Sequence, residues 1–157
     1  MSVAFRRESD DEHLEPKFEL PIPPGPNLVT ERGAALIAAR VAELEAAIEA
    51  AVTAKATEEQ LKSLKRDLRY WTTRHATMEI QPPADGDEAA FGTRVRYRLN
   101  GQEKAVAIVG DDEADPAAGL ISFSSPLARA LIGAGEGDFA DFAGKADAIE
   151  VLEVRPV

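Results

Sequence analysis

The run TEEQLKSLKRDLRYWTTRHATM, residues 57–78, decides how this chain is read. Leu61, Leu64, Leu68, Trp71, His75 and Met78 recur in it at spacings of 3, 4, 3, 4 and 3. That rhythm lies nearer 3.5 than 3.6 residues per turn and marks an apolar seam along one helix face. Upstream, Ile37, Val41, Leu44, Ile48 and Ala51 recur at 4, 3, 4 and 3. Two such seams separated by a short polar break predict an antiparallel helical hairpin over 30–80, each helix covering the other's seam. Neither helix has a further face rich in large apolar residues, so the hairpin is expected to project rather than join a larger bundle.

The ends of both helices are legible. Thr30 precedes Glu31 and serves as N-cap for the first helix, with the acidic side chain placed to favour the helix dipole. Twenty-odd residues at 1.5 Å rise make an arm of roughly 30 Å. The turn falls in Thr53–Ala56. Thr57 with Gln60 three residues on is the capping-box pattern for the second helix, which Pro82-Pro83 stops.

Before the hairpin, residues 1–29 are charged and then rich in proline: Pro16, Pro21, Pro23, Pro24 and Pro26. This predicts a flexible acidic arm. After it, Pro82 to Gly86 reads as a linker, 81–86, and a small strand-rich domain follows over 87–157. Thr93–Leu99 alternates, with Val95, Tyr97 and Leu99 on one face and arginines on the other. Asn100-Gly101 is a hairpin signal, and Ala105–Val109 is the return strand. Ile121–Phe123 is a short strand. Ser125 caps a helix opened by Pro126 and closed by Gly133. Ala148–Val154 is the last strand. The expected fold class is α+β: a coiled-coil hairpin, then an antiparallel β domain with one helix.

Composition narrows the chemistry. The chain has 157 residues, 45% of them hydrophobic, and no cysteine, which excludes disulfides and thiolate metal sites. No apolar run reaches the length of a membrane span, and the N-terminus lacks the apolar core of a secretory signal. A cytoplasmic protein with no membrane partner is expected. The net charge of -10 is uneven: the hairpin region balances 8 basic against 8 acidic groups, whereas residues 81–157 carry 7 basic and 14 acidic. An acidic domain is poorly suited to autonomous DNA binding and better suited to a basic protein surface. There is no phosphate loop, HExxH, CxxC or GxSxG. His13 falls in the arm, His75 reads as a packed seam histidine, and Ser122, Ser124 and Ser125 have no histidine base nearby. No metal of its own, no cofactor and no self-contained active site are expected. Lys62, Lys65, Arg66, Arg69 and Arg74 lie outside the seam. They are read either as a solvated exterior with weak ion pairs or as a basic edge facing RNA or an acidic partner surface.

One cluster stands out: Gly110-Asp111-Asp112-Glu113-Ala114-Asp115, directly after a strand. With Gly119–Ser122 and then Ser124-Ser125-Pro126-Leu127-Ala128-Arg129-Ala130-Leu131-Ile132-Gly133, it resembles the C-terminal domain of the GreA/GreB transcription elongation factors. The order of hairpin, linker and strand-rich domain matches that family too, over residues 30–157. The resemblance implies an FKBP-like fold without isomerase activity, docked on the rim of the RNA polymerase secondary channel through Asp112, Glu113, Asp115, Ser124, Ser125, Pro126 and Arg129. The hairpin would enter the channel, with Lys62, Lys65, Arg66 and Arg69 facing the channel or nascent RNA. In the family, carboxylates at the hairpin tip help hold a second Mg²⁺, so that the polymerase itself cleaves backtracked RNA. Here the DLxENxEY-like tip is absent and the hairpin looks shorter. Only Glu58 and Glu59 are near the tip, about 100° apart on the helix. The expectation is a monomeric, non-enzymatic regulator that modulates or occludes the channel, with polymerase Mg²⁺ involved only indirectly. The alternatives are a true cleavage factor acting through Glu58 and Glu59, and an adaptor for a non-polymerase partner such as a nucleoside diphosphate kinase. A prolyl isomerase is disfavoured by the 6% aromatic content.

Overall fold

Two helices dominate the N-terminal half of the computed structural model, which describes residues 19–157. The arm up to residue 18, with His13, lies outside the described residues. Helix α1 is Glu31–Thr53 and α2 is Glu58–Thr77. On α1, Ile37 and Leu44 are buried and Val41, Ile48 and Ala51 half-buried, as the seam predicts. On α2, Leu61, Leu64, Leu68 and Trp71 are half-buried, and Trp71 stacks edge-on against Tyr70 at 5.2 Å. The last turn departs from expectation. His75 is exposed, and Arg74, read as exterior, is 2% exposed. The residue that the last turn of α2 buries is Arg74, one place before the seam position.

The end of the expected arm is structured. Strand β1, Leu28–Val29, pairs in parallel with β2, Glu79–Ile80. Asn27 is buried, and its side-chain amide donates to the Thr77 hydroxyl at 3.2 Å. The two-helix connection is long enough to satisfy a parallel pair, which no tight hairpin could.

The strand-rich part is a five-stranded sheet in the order β5-β4-β3-β7-β6. Its strands are β3 (Thr93–Leu99), β4 (Gln102–Val109), β5 (Leu120–Ser122), β6 (Phe139–Phe142) and β7 (Lys145–Pro156). Asn100 and Gly101 both take positive φ, 53° and 75°, the tight turn their sequence predicts. Helix α3, Pro126–Leu131, lies between β5 and β6 in sequence. The β3–β4, β3–β7 and β6–β7 pairs are antiparallel as expected, but β4–β5 is parallel. The sheet is therefore mixed. The physical reason is visible in β4, where Val106, Ala107, Ile108 and Val109 are all buried. A strand covered on both faces takes the continuous apolar run typical of parallel pairing. Strand β6 was not anticipated. The core gathers Val95, Tyr97, Ile108, Leu131, Ile149 and Val151, and burial pushes the Tyr97 phenol up from its ordinary pKa. Each such buried aliphatic side chain contributes roughly 1.5–3 kcal/mol.

By contacts, Ala38–Ala76 with residues 19–24 forms one compact unit, and Gly25–Ile37 with Thr77–Val157 the other. The base of the hairpin thus belongs with the sheet. No helix among the described residues is long and apolar enough to cross a membrane.

Candidate functional site: hairpin tip and acidic loop

The tip is a closed backbone device. Ala56 N–H donates to Ala51 C=O at 2.9 Å and Lys55 N–H to Val52 C=O at 3.1 Å. This pair of bonds is the Schellman closure of α1, with Lys55 at φ 54° in the left-handed position that glycine usually occupies. Three residues later the capping box is complete. Gln60 N–H donates to Thr57 Oγ1 at 3.2 Å, and Thr57 N–H donates to Gln60 Oε1 at 3.0 Å. Glu58 and Glu59 follow in the first turn of α2, both exposed. Successive residues diverge by about 100° around a helix, so the two carboxylates do not converge on one point.

The basic residues of α2 divide. Lys62 and Lys65 are exposed. Arg66 is half-buried, its Nε enclosed without a hydrogen-bond partner among the described residues, and one guanidinium nitrogen lies 3.5 Å from Asp67. Arg69 is held by Glu19 through two N–H donors at 3.1 and 2.5 Å, and that carboxylate raises its pKa further. The expected channel-facing edge therefore presents two lysines with no ion pair among the described residues, and Arg69 is already neutralised within its own unit.

The acidic loop is more differentiated than its composition suggests. Glu113, expected at a docking surface, is 6% exposed. Its carboxylate accepts from Thr30 Oγ1 at 2.5 Å and from Arg32 Nη1 at 2.8 Å. Thr30 Oγ1 in turn accepts from Gly33 N–H at 3.0 Å. Glu113 thus sits over the first turn of α1, where a carboxylate is favoured by the helix dipole. A side chain at Gly33 would crowd it, since a Cβ built there lies 2.8 Å from Glu113 Oε1. Gly110 serves the same junction, because a Cβ there would collide with the Leu28 carbonyl oxygen. Glu113, expected at the docking surface, is buried and engaged by Thr30 and Arg32 within the chain.

Around α3 the remaining residues separate by sheet geometry. Ser125 caps α3, its Oγ accepting from Ala128 N–H at 3.3 Å, with Pro126 in the first turn. Ser124, Pro126 and Arg129 are exposed, and Asp112 is half-buried. Because β4 and β5 run parallel, Val109 stands opposite Ser122 and both strands deliver their following loops to one sheet end. There Asp111 Oδ1 accepts from Ser122 Oγ at 2.5 Å and from Ser124 Oγ at 3.1 Å. Ser122 Oγ also accepts from Ser124 N–H at 3.1 Å. Asp111, absent from the expected set, is the residue that ties the acidic loop to the Ser124–Pro126 face. Asp115 pairs by backbone with Leu120 at the opposite end of the three-residue β5. Among the described residues there is no group of three or more His, Cys, Asp or Glu arranged to hold a metal ion.

The chain is similar in sequence to known proteins. Residues 83–156 match the family described as "Transcription elongation factor, GreA/GreB, C-term". The chain is 33% identical over 115 residues to transcription elongation factor GreA of Nitratidesulfovibrio vulgaris (strain Hildenborough), covering 71% of each chain. It is 47% identical over 73 residues to GreA of Rhizobium etli (strain CIAT 652), 44% of this chain and 46% of that one. Among solved structures it resembles the GreA/GreB factor from Nitrosomonas europaea, at TM-score 0.39 and 18% identity over 83% of this chain and 98% of that one.

Proposed function

This chain belongs to the GreA/GreB family of transcription elongation factors, and from that premise we propose that it binds RNA polymerase and regulates elongation without stimulating transcript cleavage. The strand-rich domain docks through the Ser124–Pro126 face, with Asp112, Asp115 and Arg129 beside it, and the hairpin occupies the secondary channel. Glu113 holds the base of α1 instead of touching the partner. Lys62 and Lys65 supply positive charge toward the nucleic acid or an acidic channel wall. The protein acts where its polymerase is, in the bacterial cytoplasm, and supplies no metal.

The observation that carries the regulatory sense is the tip. Helix-end closure uses Ala51, Val52, Lys55, Thr57 and Gln60, leaving two divergent glutamates where cleavage assistance needs carboxylates aimed at one metal ion. A hairpin with this tip fills space near the polymerase centre without completing a two-metal site.

Equilibrium binding to bacterial core RNA polymerase tests the docking half. Ser125→Ala with Pro126→Ala removes the α3 cap and first-turn proline and is expected to weaken binding about tenfold while leaving the hairpin folded. Unchanged affinity would refute the assignment of this face.

A further inference from the structure

We propose that the open groove between the C-terminal end of α3 and strand β6 is a second docking site, taking an apolar side chain carried on a lysine- or arginine-bearing segment of the polymerase. The inference rests on the polymerase reading above for its partner and adds a surface that reading does not use. Ile132 and Phe139 line this groove and are 43% and 57% exposed. Two large apolar side chains are thus left open on neighbouring elements, where a partner's apolar side chain could meet both. Ala130, Ala134 and Ala140 make the rest of its wall small, so a partner side chain can enter between the two large ones. Strand β6 is also the terminal strand of the sheet.

Charge selects the occupant. Asp138 and Asp141 line the same groove and are exposed. Each spends one oxygen on a backbone N–H, that of Gly135 and Asp147 respectively. Neither has a cation partner among the described residues. On the outer face of the same sheet, Glu103, Glu150 and Glu153 are each paired with an arginine, at distances from 2.5 to 3.9 Å. The groove is therefore a largely polar one, flanked by two exposed apolar side chains and rimmed by carboxylates without a countercharge among the described residues. A second copy of this chain fits poorly, because its net charge is -10 and a self-complementary contact would set these carboxylates against each other. A basic segment with an apolar anchor satisfies both features. It also supplies what the Ser124–Pro126 face lacks, since interfaces draw most of their affinity from a few apolar or aromatic anchors and little from polar rims.

The test is binding of the full chain to bacterial core RNA polymerase at two salt concentrations. Both anchor side chains are exposed, so Ile132→Ser with Phe139→Ser is expected to leave the melting temperature unchanged and to weaken binding about tenfold or more. Asp138→Asn with Asp141→Asn is expected to weaken binding severalfold at low salt and to flatten its salt dependence. It also carries the test if the serine pair proves misfolded by circular dichroism. Wild-type binding with both pairs unaffected, while Ser125→Ala with Pro126→Ala still loses affinity, would overturn the groove and leave the functional reading standing. No binding by the wild type would overturn both.

Discussion

Both long helices of this protein begin under a threonine cap, yet the two N-termini are completed in opposite ways. At the tip, α2 is closed by its neighbours in sequence. Thr57 and Gln60 exchange hydrogen bonds over three residues, and Glu58 and Glu59 stand in solvent. At the base, α1 is completed from 83 residues away, where the Glu113 carboxylate meets the Thr30 hydroxyl. Acidic side chains near helix starts are thus one pattern with two fates. The exposed pair stands in solvent and is weakly coupled to the fold, and the buried one is part of the fold. Composition alone counts Glu58, Glu59 and Glu113 as equivalent carboxylates.

The sharpest way to break the contrast is at Gly110. Adding a methyl there drives Cβ into the Leu28 carbonyl oxygen, and backbone cannot yield as a flexible side chain can. Gly110→Ala is expected to cost roughly 3 kcal/mol, read as a lowered denaturation midpoint; a loss below 1 kcal/mol would mean the base is loosely joined. Next comes Glu113→Ala. It strips Thr30 of its acceptor and α1 of its long-range carboxylate, at about 2 kcal/mol. Arg32 is largely exposed and rehydrates, so the loss stays well below that of a fully buried ion pair. Thr57→Ala at the tip is smaller, about 1 kcal/mol, and should appear as faster amide exchange in the first turn of α2. Smallest of all, Glu58→Ala with Glu59→Ala should change stability by only a few tenths of a kcal/mol. A larger loss in urea denaturation would give those glutamates a structural partner the structure does not show.

The same divide explains what the sequence disclosed. Features set within a few residues were legible: the capping box, the Asn100-Gly101 turn, the Ser125 cap with Pro126, and the alternation of β3. Features set across the chain were not. The role of Glu113 depends on Thr30 and Arg32, and nothing in the acidic run distinguishes it from Asp112. The position of Asp111 over Ser122 and Ser124 depends on β4 and β5 being parallel, although the unbroken apolar run Val106–Val109 was the available sign. Strand β6 went unread because the turn after it places Ala143, not asparagine or glycine, at positive φ before Gly144. His75 is exposed and Arg74 buried, a swap that the seam spacing does not predict. Around the candidate site, the Ser125 cap and Pro126 were legible from their motif, whereas the neighbourhood of Ile132 and Phe139 required knowing that β6 exists.

The central claim is that a Gre-family hairpin with this tip occupies the polymerase without assisting cleavage. Its most direct test is RNA cleavage in backtracked elongation complexes, with this protein titrated in alone and against an authentic Gre factor. The account predicts no acceleration alone and protection of the transcript from the competing factor. Acceleration of cleavage that disappears in Glu58→Ala with Glu59→Ala would contradict it.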